Sequence, residues 1–281
     1  MKVIWFNGNL GNQIFYCKYK DYLKQAYPKH NVYAYIDSKC PKVNVDRFFN
    51  IELPKQHPLI NVLSFFVFKV LGAILRRISR KFTPKWYCEE GELNDMATFF
   101  GHNLQTCSYY KHESSDWLQI KMPHTLSPEY TDWAAKITTE NSVAIHLRRG
   151  DYVRPDSAYV DLSATDYYEK AMDKARKLLP GCQFFFFSDD LDYVKSKFKG
   201  DNIHYVDCNR GENSYLDIKL MSMAKVNIMA NSTFSYWGAY IGHEKKTVIY
   251  SDQWFCEKTG RSMPSIILDN WICIKSFANQ H

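Results

Sequence analysis

The residues best suited to chemistry begin at His146-Leu147-Arg148-Arg149-Gly150-Asp151-Tyr152, directly after the apolar run 143–145. Arginine donates two parallel hydrogen bonds to phosphate oxygens and keeps its charge at any physiological pH, so paired guanidiniums at a strand end suit a phosphate. Gly150 lets the backbone turn or approach a ligand closely. Read from spacing alone, the pair could equally be surface arginines bridged to Asp151. A second feature is Asn227-Ile228-Met229-Ala230-Asn231-Ser232-Thr233-Phe234-Ser235, an apolar strand running into a helical pattern. Ser232 or Thr233 would cap that helix, and its free first-turn amides form an anion site, although a cap without a ligand is equally common.

Two carboxylate groups lie between these features. In Phe187-Ser188-Asp189-Asp190-Leu191-Asp192 the Asp190-x-Asp192 spacing could hold a divalent metal on a diphosphate. The favoured reading is that Ser188 or Asp189 caps the next helix, because the arginines already supply positive charge. Asp217 could accept two hydrogen bonds from the N1 and N2 edge of guanine, or could be a solvated helix residue.

These residues need a frame to hold them. The N-terminal part reads as strand 3–6, a glycine loop and helix 13–27, then strand 32–36 with Asp37 at its end. From about residue 140, strands at 143–147, 183–187, 203–206, 226–230 and 247–250 alternate with helices at 164–179, 190–198, 213–224 and 234–242. Unbroken apolar strands between helices imply a parallel sheet covered on both faces, which binds ligands at its strands' carboxyl ends. The boundary is placed near residue 140, giving an N-terminal domain 1–140 and a C-terminal domain 141–281. Few elements are assigned within 40–58 and 83–128.

The chain has 281 residues, 46% hydrophobic and 23% charged, enough to bury a sizeable core and to exclude disorder. Its net charge of +6 suits an anionic ligand or acidic membrane surface and is too mild to argue for nucleic acid. Eight scattered cysteines lack zinc spacing and read as reduced thiols, and no secretory signal is visible, so a cytoplasmic location is expected. Residues 59–75 carry one charge, Lys69, and are followed by Arg76-Arg77-Ile78-Ser79-Arg80-Lys81. Ile60, Leu63, Val67, Val70, Leu71, Ile74 and Ile78 share a helical face. This stretch is too short to span a bilayer. It reads either as a core helix with a solvated basic end or as an amphipathic helix making peripheral contact through 59–81 with anionic lipid or a membrane-bound partner.

The sequence resembles glycosyltransferase family 11, the α-1,2-fucosyltransferases. The resemblance rests on residues 146–152, on Phe187-Ser188-Asp189-Asp190, on Asp217 with Leu220-Met221, and on residues 227–235. Gly8-Asn9-Leu10-Gly11-Asn12-Gln13 looks like the family's N-terminal glycine loop, with Asn9 in place of a second glycine. Tyr236-Trp237 stands where two tryptophans are usual. The resemblance implies an α/β, GT-B-like fold of two Rossmann-like domains facing a cleft, with the N-terminal domain on the acceptor side. It implies L-fucose transfer from GDP-fucose, a co-substrate, to O2 of a terminal galactose in bacterial glycan or surface polysaccharide synthesis. The mechanism would be inverting, with no metal and no resident cofactor.

On this reading Arg148, Arg149 and Asp151 are catalytic, with Arg148 on the β-phosphate and Arg149 shaping the site. His146 and Asp217 help hold the guanosine, Ser232, Thr233 and Phe234 close over the diphosphate, and Asn12 reaches the donor from the other domain. Asp189 and Asp190 are carried as donor-site motif positions. Asp37, Glu90 and Glu92 are acceptor-half carboxylates among which no base is singled out. Two alternatives stand: a fucosyltransferase of another linkage, α-1,6 or protein O-linked, and a non-catalytic GDP- or glycan-binding protein.

Overall fold

Short apolar runs alternating with helical spacing fold as parallel strands and covering helices in a computed structural model, which describes residues 1–36, 43–71, 85–90, 93 and 95–277. The chain forms two compact units, 1–111 and 112–281.

In the first unit, β1 (Lys2–Phe6) leads into α1 (Leu10–Ala26) and β2 (Val32–Ile36), then α2 (Val45–Phe48) and α3 (Pro58–Phe65). β3 (Tyr87–Glu90) and β4 (Phe99–Asn103) complete a parallel sheet of order β2-β1-β4-β3. All of β1 is buried, as expected of a central parallel strand. Gly8, after β1, has φ +102, a backbone state that side chains avoid, and a Cβ there would collide with the Asn12 amide. Asn9 starts α1 at φ −76, so nothing in the backbone requires a second glycine.

The apolar segment after residue 58 departs from the expected face. α3 continues as a π-helical stretch, Phe66–Leu71, and its inward side is Ser64, Val67 and Phe68 with Ile60. Phe68 packs among Trp5, Tyr35 and Phe99, and the wider π turn shifts the helical phase. Leu63 and Val70, expected on one face with Ile60 and Val67, are exposed while those two turn toward the core. Ile74, Ile78 and the basic run 76–81 lie outside the described residues, as do Asp37, Cys40 and Glu92.

The second unit begins earlier than residue 140 because residues 112–139 pack on the C-terminal sheet. The Ser115 amide and hydroxyl meet Glu244, and Trp117 packs on Trp237 and Tyr240. α4 (Pro128–Thr139), unassigned from sequence, is capped by the Ser127 hydroxyl and lays Trp133 against Phe185 and His204. There follow β5 (Ser142–Leu147), α5 (Tyr167–Leu178), β6 (Gln183–Ser188), α6 (Leu191–Lys197), β7 (Ile203–Tyr205) and α7 (Leu216–Ser222). β8 (Val226–Ile228), α8 (Thr233–Tyr240), β9 (Thr247–Ser251) and β10 (Ile272–Ile274) end the unit.

Its six strands are parallel in the order β10-β9-β8-β5-β6-β7. β5 is buried along its length, and Phe184, Phe185, Phe186 and Phe187 of β6 are all at most 1% exposed, so both faces of this sheet are covered. From β5 the chain winds to β6 and β7 on one side and to β8, β9 and β10 on the other. The order therefore reverses between β5 and β8, the place where open parallel sheets bind ligands.

α7 and α8 meet closely. A Cβ on Gly238 would lie 2.7 Å from Met221 Cε and 3.0 Å from Met221 Cβ. Gly238→Ala is therefore expected to destabilise the protein by about 1–3 kcal/mol through overpacking. A urea midpoint unchanged from wild type would show that Met221 yields freely.

Candidate functional site

Both sequence features sit at the reversal of strand order. His146 and Leu147 end β5, which brings Arg148 to the carboxyl edge of the sheet; β8 ends at Ile228 and delivers Asn231, Ser232 and α8 beside it. The His146 ring packs on Phe234 with centroids 5.5 Å apart, and the Tyr152 hydroxyl donates to the Asn231 carbonyl at 3.1 Å. The arginine loop and the start of α8 are thus one assembly. Ser232 caps α8, accepting from the Phe234 amide, while Thr233 and Phe234 form its first turn. The Asn231 side chain fixes the approach by donating to the carbonyls of Val160 and Trp254.

The two arginines have different surroundings. Arg148 pairs with Asp189 at 2.8 Å and donates to Asp151 at 2.6 Å, with its guanidinium 5.7 Å from the centre of the Tyr152 ring. Burial works against its charge, but Asp189 and Asp151 outweigh it and hold the guanidinium above its ordinary range. Asp151 is half exposed, so it can be displaced by an anion from solvent. Arg149 donates to Asp190 at 2.9 Å and to the Ser163 hydroxyl at 2.7 Å, and lies 3.7 Å over the Tyr193 ring. These contacts tie it to the start of α6 and to the Ser163 turn.

The acidic pair supports this arrangement. Asp190, rather than Ser188 or Asp189, caps α6 by accepting from the Tyr193 amide. Asp189 accepts from the Arg149 amide at 2.9 Å while pairing with Arg148. Gly150 is required here because a Cβ would run into the Asp189 carboxylate.

His146 is 7% exposed, and its Nδ1 is buried without a hydrogen-bond partner. Burial, reinforced by Arg148, pushes the imidazole down to about 3. The ring is neutral at working pH, with an orphan nitrogen of the kind that a ligand satisfies. Its folded value lies below the ordinary 6.5, so its contribution to stability is complete above pH 6.5 and is lost as pH falls toward 3. In His146→Gln, stability is expected to fall less steeply over that window, by about 1 kcal/mol per pH unit. Asp217 titrates in the opposite sense in both proteins, so the wild-type-minus-variant difference isolates His146. Parallel urea-midpoint curves against pH would contradict the assignment.

Asp217 stands at the start of α7, where it accepts from Asn209 at 2.8 Å. Burial raises it from 3.8 to about 7, opposed by that bond and reinforced by Asp207. Asn12 lies in the first unit, where its side-chain oxygen accepts from Gln105 at 3.0 Å. Sequence reasoning assigned no role to Tyr152, although it joins the two halves of the site, stacks on Tyr159 at 4.5 Å and is buried. Its place in the motif was visible; its partner, a carbonyl 79 residues away, had no local signal.

These features define a two-unit α/β protein with an anion-suited strand end and helix start at the switch point of its C-terminal sheet. A sequence model of glycosyl transferase family 11 matches residues 83–275. The chain belongs to this family and is a glycosyltransferase.

An O-antigen biosynthesis glycosyltransferase, WbnK, of Escherichia coli is 35% identical over 136 residues, 47% of this chain and 44% of that protein, so the match spans under half its length. An alpha-1,2-colitosyltransferase of Escherichia coli is 26% identical over 272 residues, covering 88% of this chain and 90% of that protein. Among solved structures, Escherichia coli ADP-heptose LPS heptosyltransferase II is 10% identical with a TM-score of 0.47, covering 98% of this chain and 90% of that one. A family 9 glycosyl transferase of Veillonella parvula is 12% identical with a TM-score of 0.45, covering 97% and 85%.

Proposed function

We propose that this glycosyltransferase moves L-fucose from GDP-fucose to O2 of a terminal galactose, with inversion and without a metal, in the synthesis of a bacterial surface glycan. The observation that carries the reading is that Arg148 and the α8 start follow neighbouring strands at the β5/β8 reversal, in a chain of family 11. The acceptor hydroxyl attacks the anomeric carbon and gives up its proton to solvent, the bond to the β-phosphate oxygen breaks, and negative charge grows on the departing GDP. Arg148 and the first-turn amides of α8 are placed to receive that charge, with Asp151 yielding its hydrogen bond to the phosphate. Asp189 keeps its pairing and holds the guanidinium in position. Arg149 and Asp190 act as positioning residues. His146 and Phe234 flank the nucleotide, and Asp217 reads the guanine edge. Asn12 contacts the donor from the N-terminal unit.

A second reading is a colitosyl donor in place of the fucosyl one, favoured by the alpha-1,2-colitosyltransferase that aligns over 88% of the chain. Incubation of a β-galactoside with each GDP-sugar, with and without EDTA, followed by linkage analysis of the product, separates the readings. An α-1,2-fucosyl product formed equally well in EDTA supports the first. A product only from the colitosyl donor selects the second, and another linkage or an EDTA-sensitive reaction overturns the linkage or metal-free part. GDP binding with no turnover on any acceptor would leave a binding protein.

A further inference from the structure

Helices hydrophobic on all sides are normally buried, yet the helix running from Pro58 to Leu71 lies on the surface of its unit. Its inward side, Ser64, Val67 and Phe68, reaches the core around Trp5 and Tyr35. The outward side carries Leu59, Val62, Phe66 and Val70 at successive steps of three or four residues, with Leu63 beside Val62, where polar residues would be expected. Leu59 is 74% exposed and Val62 71%, with Phe65 and Phe66 each at 53%. Large apolar side chains clustered in this way mark an interaction surface rather than scattered exposure.

Charge identifies the occupant. Residues 53–88 contain seven Lys and Arg (Lys55, Lys69, Arg76, Arg77, Arg80, Lys81 and Lys85) and no Asp or Glu. The whole chain has 36 basic and 30 acidic residues, so everything outside this stretch is close to neutral. Along the sequence, the positive excess of the protein is therefore concentrated in the stretch that contains this apolar helix. An apolar face within a basic, acid-free stretch of sequence matches an anionic lipid leaflet, which accepts the side chains below its headgroups and attracts cations at them. No helix among the described residues is long and apolar enough to cross a membrane, so the contact is peripheral.

We propose that the outer face formed by Leu59, Val62, Leu63, Phe66 and Val70 docks the protein onto an anionic lipid bilayer. None of these five residues is among the donor-site candidates, and the test is independent of which sugar is transferred. Purified full-length protein is sedimented with vesicles of phosphatidylcholine alone or with 30% phosphatidylglycerol (about a third anionic lipid, comparable to an acidic leaflet), beside the double variant Val62→Glu/Phe66→Glu. These positions are exposed, so the variant should fold, as circular dichroism would verify.

The expected result is binding to the anionic vesicles alone, weakened by salt because the Debye length shrinks, and reduced on the order of tenfold in the variant. GDP release with a soluble acceptor is expected to stay unchanged in the variant. No vesicle binding, or binding equal in wild type and variant, would overturn the proposal. So would a wild-type dimer that the variant abolishes in the absence of lipid binding, since it would assign this face to a second copy of the chain.

Discussion

Arg148→Ala is expected to lower kcat/KM by roughly 10²–10³, about 3–4 kcal/mol, the range for removing one donor aimed at developing negative charge. The size follows from where the guanidinium stands. It sits at the carboxyl end of β5, partly buried, and is fixed by Asp189 on one side and Asp151 on the other. Such a donor needs no reorganisation as charge grows on the leaving group, whereas solvent replacing it would. The loss should fall mainly on kcat, because the interaction strengthens as the bond to the sugar breaks. Arg148→Lys should recover only part of it, since an ammonium lacks the planar fork that engages two oxygens while keeping a carboxylate partner. Steady-state kinetics of the three proteins with GDP-fucose and a galactoside check this. Equal kcat/KM in wild type and Arg148→Ala would remove Arg148 from the chemistry.

Trp237→Ala is expected to cost about 3–5 kcal/mol of stability, the loss typical of emptying a large buried aromatic site. Trp237 is fully buried in α8 and packs edge-on to Trp117 at 5.8 Å and against Tyr236 and Tyr240 at 4.9 and 5.4 Å. The void would open between α8 and the segment carrying Trp117, so the start of α8 should lose its support as well. A domain of this size should lose roughly 2–4 °C of Tm per kcal/mol, placing the fall well above 5 °C. Trp237→Phe, which keeps most of the volume, should lose markedly less and remains measurable if the alanine variant does not accumulate. A Tm within 2 °C of wild type for Trp237→Ala would contradict the packing account, the threshold being about 1 kcal/mol.

Much of the second unit was legible because its signals are local. The four-phenylalanine strand, the apolar run before His146 and the strand-to-helix change at Ser232 each state their element within a few residues. The reversal of strand order between β5 and β8, which brings the motifs together, is a property of pairing across the sheet and has no local signature. The same holds for residues 112–139, whose attachment to the C-terminal sheet depends on distant partners of Trp117 and Trp133. β3 and β4 were missed because their residues mix polar and aromatic types without clean alternation, and they pair with each other and β1 across long connections. The helix after residue 58 was visible as a helix. Its expected single apolar face is split, with Ile60 and Val67 turned inward and Leu63 and Val70 outward, and the chain widens from Phe66 onward to seat Phe68 in the core.

In the candidate site, Arg148, His146 and Ser232 were singled out from residue type and position. Their partners were only partly so. Asp190 as the cap of α6, Asp189 as the brace of Arg148 and Tyr152 as the tie to Asn231 depend on loop conformation, which sequence patterning does not encode. Asp217 was chosen for its carboxylate, but the burial that raises it to about 7 became evident only with Asn209 and the α7 start in place.

The central claim is that the β5/β8 reversal binds a nucleoside diphosphate through Arg148. Calorimetric titration of GDP and GMP into wild type and Arg148→Ala tests it without reference to the acceptor. The account predicts that wild type binds GDP at least tenfold more tightly than GMP, about 1.4 kcal/mol, and that Arg148→Ala erases most of that difference while leaving GMP affinity nearly unchanged. Equal GDP and GMP affinities in wild type, or a GDP preference that survives in the variant, would contradict it.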